Sequence, residues 1–103
     1  VVVISGDTAP SDAVVEACDG CDVLVHEVYS AAGWREGPAD FRAYHAAFHT
    51  SGEQLGGIAT RARPGLLVLS HLLFFGHAPG ELLAEVRGSF DGEVVIAEDG
   101  ETY

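Results

Sequence analysis

In a chain of 103 residues, two side chains stand where α/β proteins gather their chemistry. Asp7 and His71 each follow a short apolar run and a small residue. Ligands of parallel sheets collect at the carboxyl ends of strands, so these two side chains are expected to share one edge. A carboxylate and an imidazole on one edge form a pair of metal ligands. Taken separately, Asp7 also reads as a turn or helix-cap aspartate, and His71 as a polar loop residue of the type that most often binds metals. His49 stands just before Thr50-Ser51-Gly52-Glu53, which reads as a capping box opening a helix. A neutral imidazole is favoured beside that positive helix end, where the N–H groups of Ser51, Gly52 and Glu53 are available to an anion. The alternative for His49 is a residue with local contacts only.

His26-Glu27 ends a second apolar run, so it reaches the same edge or forms an ordinary pair at the surface. A buried Glu27 needs hydrogen bonds or a cation, and orienting a ligand histidine meets that need. His45 and His49 have the spacing of two imidazoles on one helix face. His45 also lies beside Phe41, Tyr44 and Phe48, and no Glu stands between the two histidines, so it is expected to be packed and hydrogen-bonded. His77, in a Gly/Pro-rich loop, is expected to be solvated. Cys18-x-x-Cys21 has redox spacing but bridges a helix end to a strand start and has no second Cys pair, so two partly buried thiols in a reducing compartment are expected.

The elements that must hold these residues alternate. Val1 to Ser5 is a β-branched run suited to a strand buried on both faces. A helix follows over roughly residues 10 to 19, then a strand at Val23-Leu24-Val25 and a looser stretch from Tyr29 to Gly37. A second helix from Pro38 carries Phe41, Tyr44 and Phe48. A third opens at the capping box, shows one face of Leu55, Ile58, Ala59 and Ala62, and ends at Pro64-Gly65. Leu66 to Leu69 reads as a third strand, His71 to Ala78 as a loop, Pro79 onward as a fourth helix, and Val94 to Ala97 as a fourth strand. The order β-α-β-α-α-β-α-β makes one α/β unit, with no repeat or linker.

Composition narrows the function. Sixteen acidic residues face five cations, Arg35, Arg42, Arg61, Arg63 and Arg87, with no lysine, for a net charge of -11. Affinity for nucleic acids rests on cations that neutralise phosphates, so RNA or DNA is not expected to bind through this surface, nor are anionic membranes. No apolar run approaches the roughly 20 residues of a bilayer span. The chain begins without Met, basic leader or signal pattern, directly in a strand, which reads as a fragment lacking its amino-terminal part.

Ser5-Gly6-Asp7-Thr8, Val25-His26-Glu27, His49-Thr50-Ser51 and Leu67-Val68-Leu69-Ser70-His71, in that order, resemble the carboxyl-terminal half of the metallo-β-lactamase superfamily, nearest its ribonuclease Z and arylsulfatase-like branch. Phe90 to Gly100 resembles that group's last strand and tail. The resemblance implies half of an αβ/βα sandwich and hydrolysis by metal-activated water, with two zinc ions in the whole protein, manganese or iron being alternatives. It makes Asp7 the carboxylate bridging two metals, His71 a terminal ligand and His49 the residue assisting the leaving group. His26, Glu27 and Thr50 would support them.

The superfamily's His-x-His-x-Asp-His signature is absent and would precede Val1. A catalytic zinc wants three protein ligands, so Asp7 and His71 make half a site, unless His26 and His49 complete a four-ligand mononuclear one. The expected protein is therefore a cytoplasmic zinc hydrolase of a small anionic or ester substrate, represented by one inactive half. That half would expose an apolar face for its missing partner half or a second copy, as a homodimer. The rival is a small, acidic, doubly wound binding or signalling domain. A catalytically dead interaction module is a third reading.

Overall fold

The computed structural model describes residues 1–97, so Glu98-Asp99-Gly100 of the tail lie outside the described residues. Strands β1 (Val2–Ile4), β2 (Val23–Tyr29), β3 (Leu66–Leu73) and β4 (Val94–Ile96) form one sheet in the order β1-β2-β3-β4, every pair parallel. Helices α1 (Asp12–Cys18), α2 (Ala31–Arg35), α3 (Ala39–Phe48), α4 (Gly52–Ala62) and α5 (Pro79–Arg87) lie in the connections. The α2 turn is one helix more than the sequence predicts. Its N-terminus is fixed by Ser30, whose hydroxyl accepts from the Gly33 N–H, and by Glu85 of α5, which accepts from the Ala31 and Ala32 N–H groups at 2.8 and 3.1 Å. That second partner is 54 residues away from Ala31, beyond any local signal.

Because the strand order never reverses, right-handed crossovers carry the connecting helices to a single face of the sheet. On that face Leu24, Val28, Leu67, Leu69 and Val94 pack against Leu55, Ile58 and Ala59 of α4 and Leu82 and Val86 of α5. A doubly wound sheet needs a reversal and covers both faces, so the rival architecture falls. The opposite face is apolar but uncovered. Val2 is 62% and Ile4 71% exposed, and Val23, Val25 and Leu66 are half-buried. The expectation of a first strand buried on both faces therefore fails, because nothing among the described residues packs on the side of Val2 and Ile4.

Local expectations shift at three further points. Ser51, not Thr50, caps α4, accepting from the Gln54 N–H while the Gln54 side chain accepts from the Ser51 N–H. Thr50 is drawn into the sheet edge instead, its carbonyl taking the Tyr29 N–H at 2.9 Å. The two cysteines form a disulfide rather than standing as thiols. Asp19 and Gly20, at φ 36° and 80°, turn the chain back so that the Cys18 and Cys21 Cα atoms come within 4.7 Å. The argument from free thiols to a reducing compartment loses its basis. No helix among the described residues is long and apolar enough to cross a membrane.

Two adjacent glycines test the helical layer. A Cβ on Gly56 would meet the Val86 carbonyl oxygen at 2.6 Å, whereas one on Gly57 meets nothing within 4 Å. Gly57→Ala is expected to raise stability by about 0.5–1 kcal/mol through helix propensity. Gly56→Ala is expected to lower it by about 1–3 kcal/mol, because it wedges α4 from α5. Urea denaturation of the two variants measures the contrast.

Candidate functional site

The carboxyl ends of β1, β2 and β3 meet at one edge, and Asp7, Glu27 and His71 lie there on neighbouring strands. The β2–β3 register runs Glu27↔Ser70 and then Val28↔Leu72, which leaves His71 as the extra residue of a bulge. His71 takes a left-handed backbone, φ 47°, that non-glycine residues seldom adopt. Bulges re-aim side chains, and this one brings His71 Nδ1 to 2.8 Å from Asp7 Oδ1. Strand β3 thus continues through the segment read as a loop. Asp7 does not cap α1, a role taken by Ser11. Both partners are more than half exposed, at 57% and 61%, so their ion pair adds little stability.

Beside this pair lies a buried cluster. Glu27, 2% exposed, receives the Thr8 and Thr50 N–H groups on Oε1 at 3.1 and 3.2 Å and holds His49 Nδ1 on the same oxygen at 3.2 Å. The Thr50 hydroxyl closes the ring of contacts by donating to the Thr8 carbonyl at 2.6 Å. With Nδ1 held, the His49 ring has Nε2 left for proton transfer. Burial pushes the Glu27 carboxyl above the ordinary range, opposed by the bonds from Thr8, His49 and Thr50. Its Oε2 has no partner among the described residues. The His49 and His71 rings stand 6.4 Å apart, so the two clusters form one site.

The other histidines go elsewhere. His26 is fully buried on the opposite face of β2 from Glu27, with Nδ1–H donating to the Glu27 carbonyl at 2.7 Å and Nε2 without a partner among the described residues. Neither it nor His49 joins Asp7 and His71 in a four-ligand set. His45 is not hydrogen-bonded at Nδ1. Its ring instead packs among Phe41, Tyr44, Phe75 and His49, 4.5 to 5.5 Å between centroids. His77 is tied down rather than solvated, with Glu36 and Glu81 on its two ring nitrogens, and those bonds raise its pKa. The Ser51 N–H is taken by Gln54 and the Thr50 N–H by Glu27, so the α4 N-terminus offers an anion less than the sequence suggests.

Relatives carry this arrangement. No family model matches the chain. It is 37% identical over 99 residues to ribonuclease Z of Haloarcula marismortui, covering 95% of this chain and 30% of that protein. Against ribonuclease Z of Myxococcus xanthus the identity is 34% over 102 residues, 98% of this chain and 31% of the relative. The crystal structure of YhfI from Bacillus subtilis, a metallo-β-lactamase fold protein, superposes with a TM-score of 0.78 at 27% identity, covering 99% of this chain and 39% of that one. The chain belongs to the metallo-β-lactamase superfamily, on its ribonuclease Z branch. It spans about 30% of the length of these curated ribonucleases.

The superfamily is one of metal-dependent hydrolases, and the donors at hand can be set against that. Oxygen from Asp7 and nitrogen from His71 suit zinc, manganese or iron in kind. They fall short in number. Among the described residues no group of three or more His, Cys, Asp or Glu converges as a metal site, while a catalytic zinc takes three protein ligands.

The orphaned His26 gives the site a pH signature. Burial lowers its pKa below the ordinary 6.5, against the bond to the Glu27 carbonyl, which raises it. A depressed histidine leaves stability intact above 6.5 and removes it as the pH falls through the native value, because the unfolded chain then binds the extra proton. His26→Leu is expected to flatten this acid limb. Urea denaturation across the range checks it, and a variant retaining the full acid dependence would assign the limb elsewhere.

Proposed function

We propose that this chain is one part of a metal-dependent hydrolase of esters, phosphodiester, sulfate or carboxylic, whose remaining ligands lie in polypeptide preceding Val1. The supporting observation is the approach of Asp7 to His71 at 2.8 Å across two strands, with His49 alongside. In this reading Asp7 bridges the metals and His71 ligates one of them. The metal, zinc foremost, makes water nucleophilic near neutral pH. His49 gives a proton to the departing oxygen, and Glu27 holds its ring at Nδ1 and stabilises its charged form, as a carboxylate orients an imidazole in other hydrolases. His26 contributes through the core, bracing the strand that carries Glu27.

With two donors, the 103 residues alone are inactive in this reading. The uncovered face of Val2, Ile4, Val23 and Val25 receives the second sheet of the αβ/βα sandwich. The charge favours a small anionic ester over RNA at this surface, for all that the relatives are named ribonucleases. Three of the five arginines are engaged in exposed ion pairs, Arg35 with Glu53, Arg61 with Asp12 and Arg63 with Asp19. Basic surface elsewhere in the longer polypeptide would reverse that preference.

In the longer polypeptide, Asp7→Ala or His71→Ala is expected to lower bound metal and cut hydrolysis by more than the roughly 10–100-fold typical of outer-shell residues. His49→Ala is expected to slow turnover by about 10²–10⁴-fold with metal content unchanged. Elemental analysis beside turnover of an aryl phosphodiester and of RNA reads both. Normal turnover in the Asp7 and His71 variants would overturn the ligand assignment.

A further inference from the structure

We infer that Tyr44 and Phe48 form a stacking platform for a flat aromatic ring on the leaving-group side of the substrate. The inference rests on the proposed role of His49. Helix α3 has no buried residue, and these two rings are 56% and 58% exposed. Outside β1 they are the large hydrophobic residues left exposed among the described residues. They stand one turn apart with centroids 5.3 Å from each other. Ala43 and Ala47 are their neighbours along the helix, so no long side chain at those positions shields the rings.

Position decides what the platform meets. Tyr44 lies 6.2 Å from the His49 ring, His49 lies 6.4 Å from His71, and His71 touches Asp7. The rings therefore extend the site beyond His49, on the side away from the Asp7–His71 pair. A group leaving with a proton from His49 departs toward them. The platform is braced from behind, since Tyr44 meets His45 edge-on at 5.0 Å and His45 packs on Phe41 and Phe75. Asp40, one turn before Tyr44, puts a carboxylate at the far end of the row, so an anionic substrate points its charge toward His49 and its ring over Tyr44 and Phe48. An aliphatic partner would suit the open face of β1 equally well; two unshielded rings beside a histidine suit a planar one.

The test needs neither metal nor turnover. Chelator-treated 103-residue protein is titrated with phenyl phosphate, adenosine 5′-monophosphate and the saturated control cyclohexyl phosphate, following the Tyr44, Phe48 and His49 ring signals by NMR. A planar ligand is expected to bind about tenfold more tightly than the control and to shift all three rings. Preference for phenyl phosphate and the nucleotide alike indicates any aryl group, and preference for the nucleotide alone a nucleobase. Replacing both rings, Tyr44→Leu with Phe48→Leu, is expected to erase the preference while helix content by circular dichroism is kept. Equal affinity for the saturated ring, shifts confined to β1, or ring shifts that follow protein concentration without ligand would overturn the platform. None of these results depends on metal ligation by Asp7 and His71, whose failure would appear in the metal analysis instead.

Discussion

Taking a carboxylate out of water costs several kcal/mol unless hydrogen bonds or a cation offset it, and the 2% exposure of Glu27 imposes that condition on everything around it. One oxygen meets it three times over, drawing in the Thr8 N–H from the loop after β1, the Thr50 N–H from the segment before α4, and the His49 ring. Three connections that leave different strands are thereby fixed to one point. Asp7 is adjacent to Thr8, and His49 to Thr50, so both inherit their positions from this one side chain. The geometry at the sheet edge follows from the need to satisfy Glu27, more than from the exposed Asp7–His71 contact, which is too wet to organise its surroundings.

The sheet supplies the second constraint. A strand order that runs straight from β1 to β4 gathers the helices on one side, and the side left over is still built of Val2, Ile4, Val23 and Val25. A solvated sheet face normally alternates to polar residues, and this one does not. The apolar character is therefore selected by contact with something other than water. Another apolar layer answers that requirement, and its carboxyl-terminal strand ends would bring further donors toward Asp7 and His71. The incomplete ligand set and the bare face are two consequences of a single division in the fold.

Much of this was legible in the sequence for a physical reason: buried parallel strands must be apolar, and the first polar residue after each marks the sheet edge. Asp7, Glu27 and His71 stand out on that basis, and the helical pattern places His49 ahead of α4. What escaped were interactions decided far along the chain. Glu85 builds the N-terminus of α2 from α5, and no local pattern announces it. Tyr44 and Phe48 fit a helical apolar stripe, and stripes are read as buried, yet α3 has nothing on that side to pack against. His45 was expected to find a hydrogen bond and found aromatic rings. Cys18 and Cys21 were judged on spacing, whereas the left-handed pair Asp19-Gly20 brings them together.

The bulge at His71 binds these strands of argument. A residue held at φ 47° carries backbone strain that its surroundings must over-determine, and such positions cluster where side chains act. Were β3 regular, the next residue after Ser70 would pair with Val28 and point back into the helical layer with Leu69. Inserting one unpaired residue lets the strand keep Leu72 and Leu73 in register with Val28 and Tyr29 while freeing the imidazole to meet Asp7. The exposed ion pair gained is worth about 0–1 kcal/mol, less than the roughly 1–3 kcal/mol that such backbone strain costs. Stability alone does not maintain a histidine there, and a ligand that binds both side chains gives a sufficient reason for it.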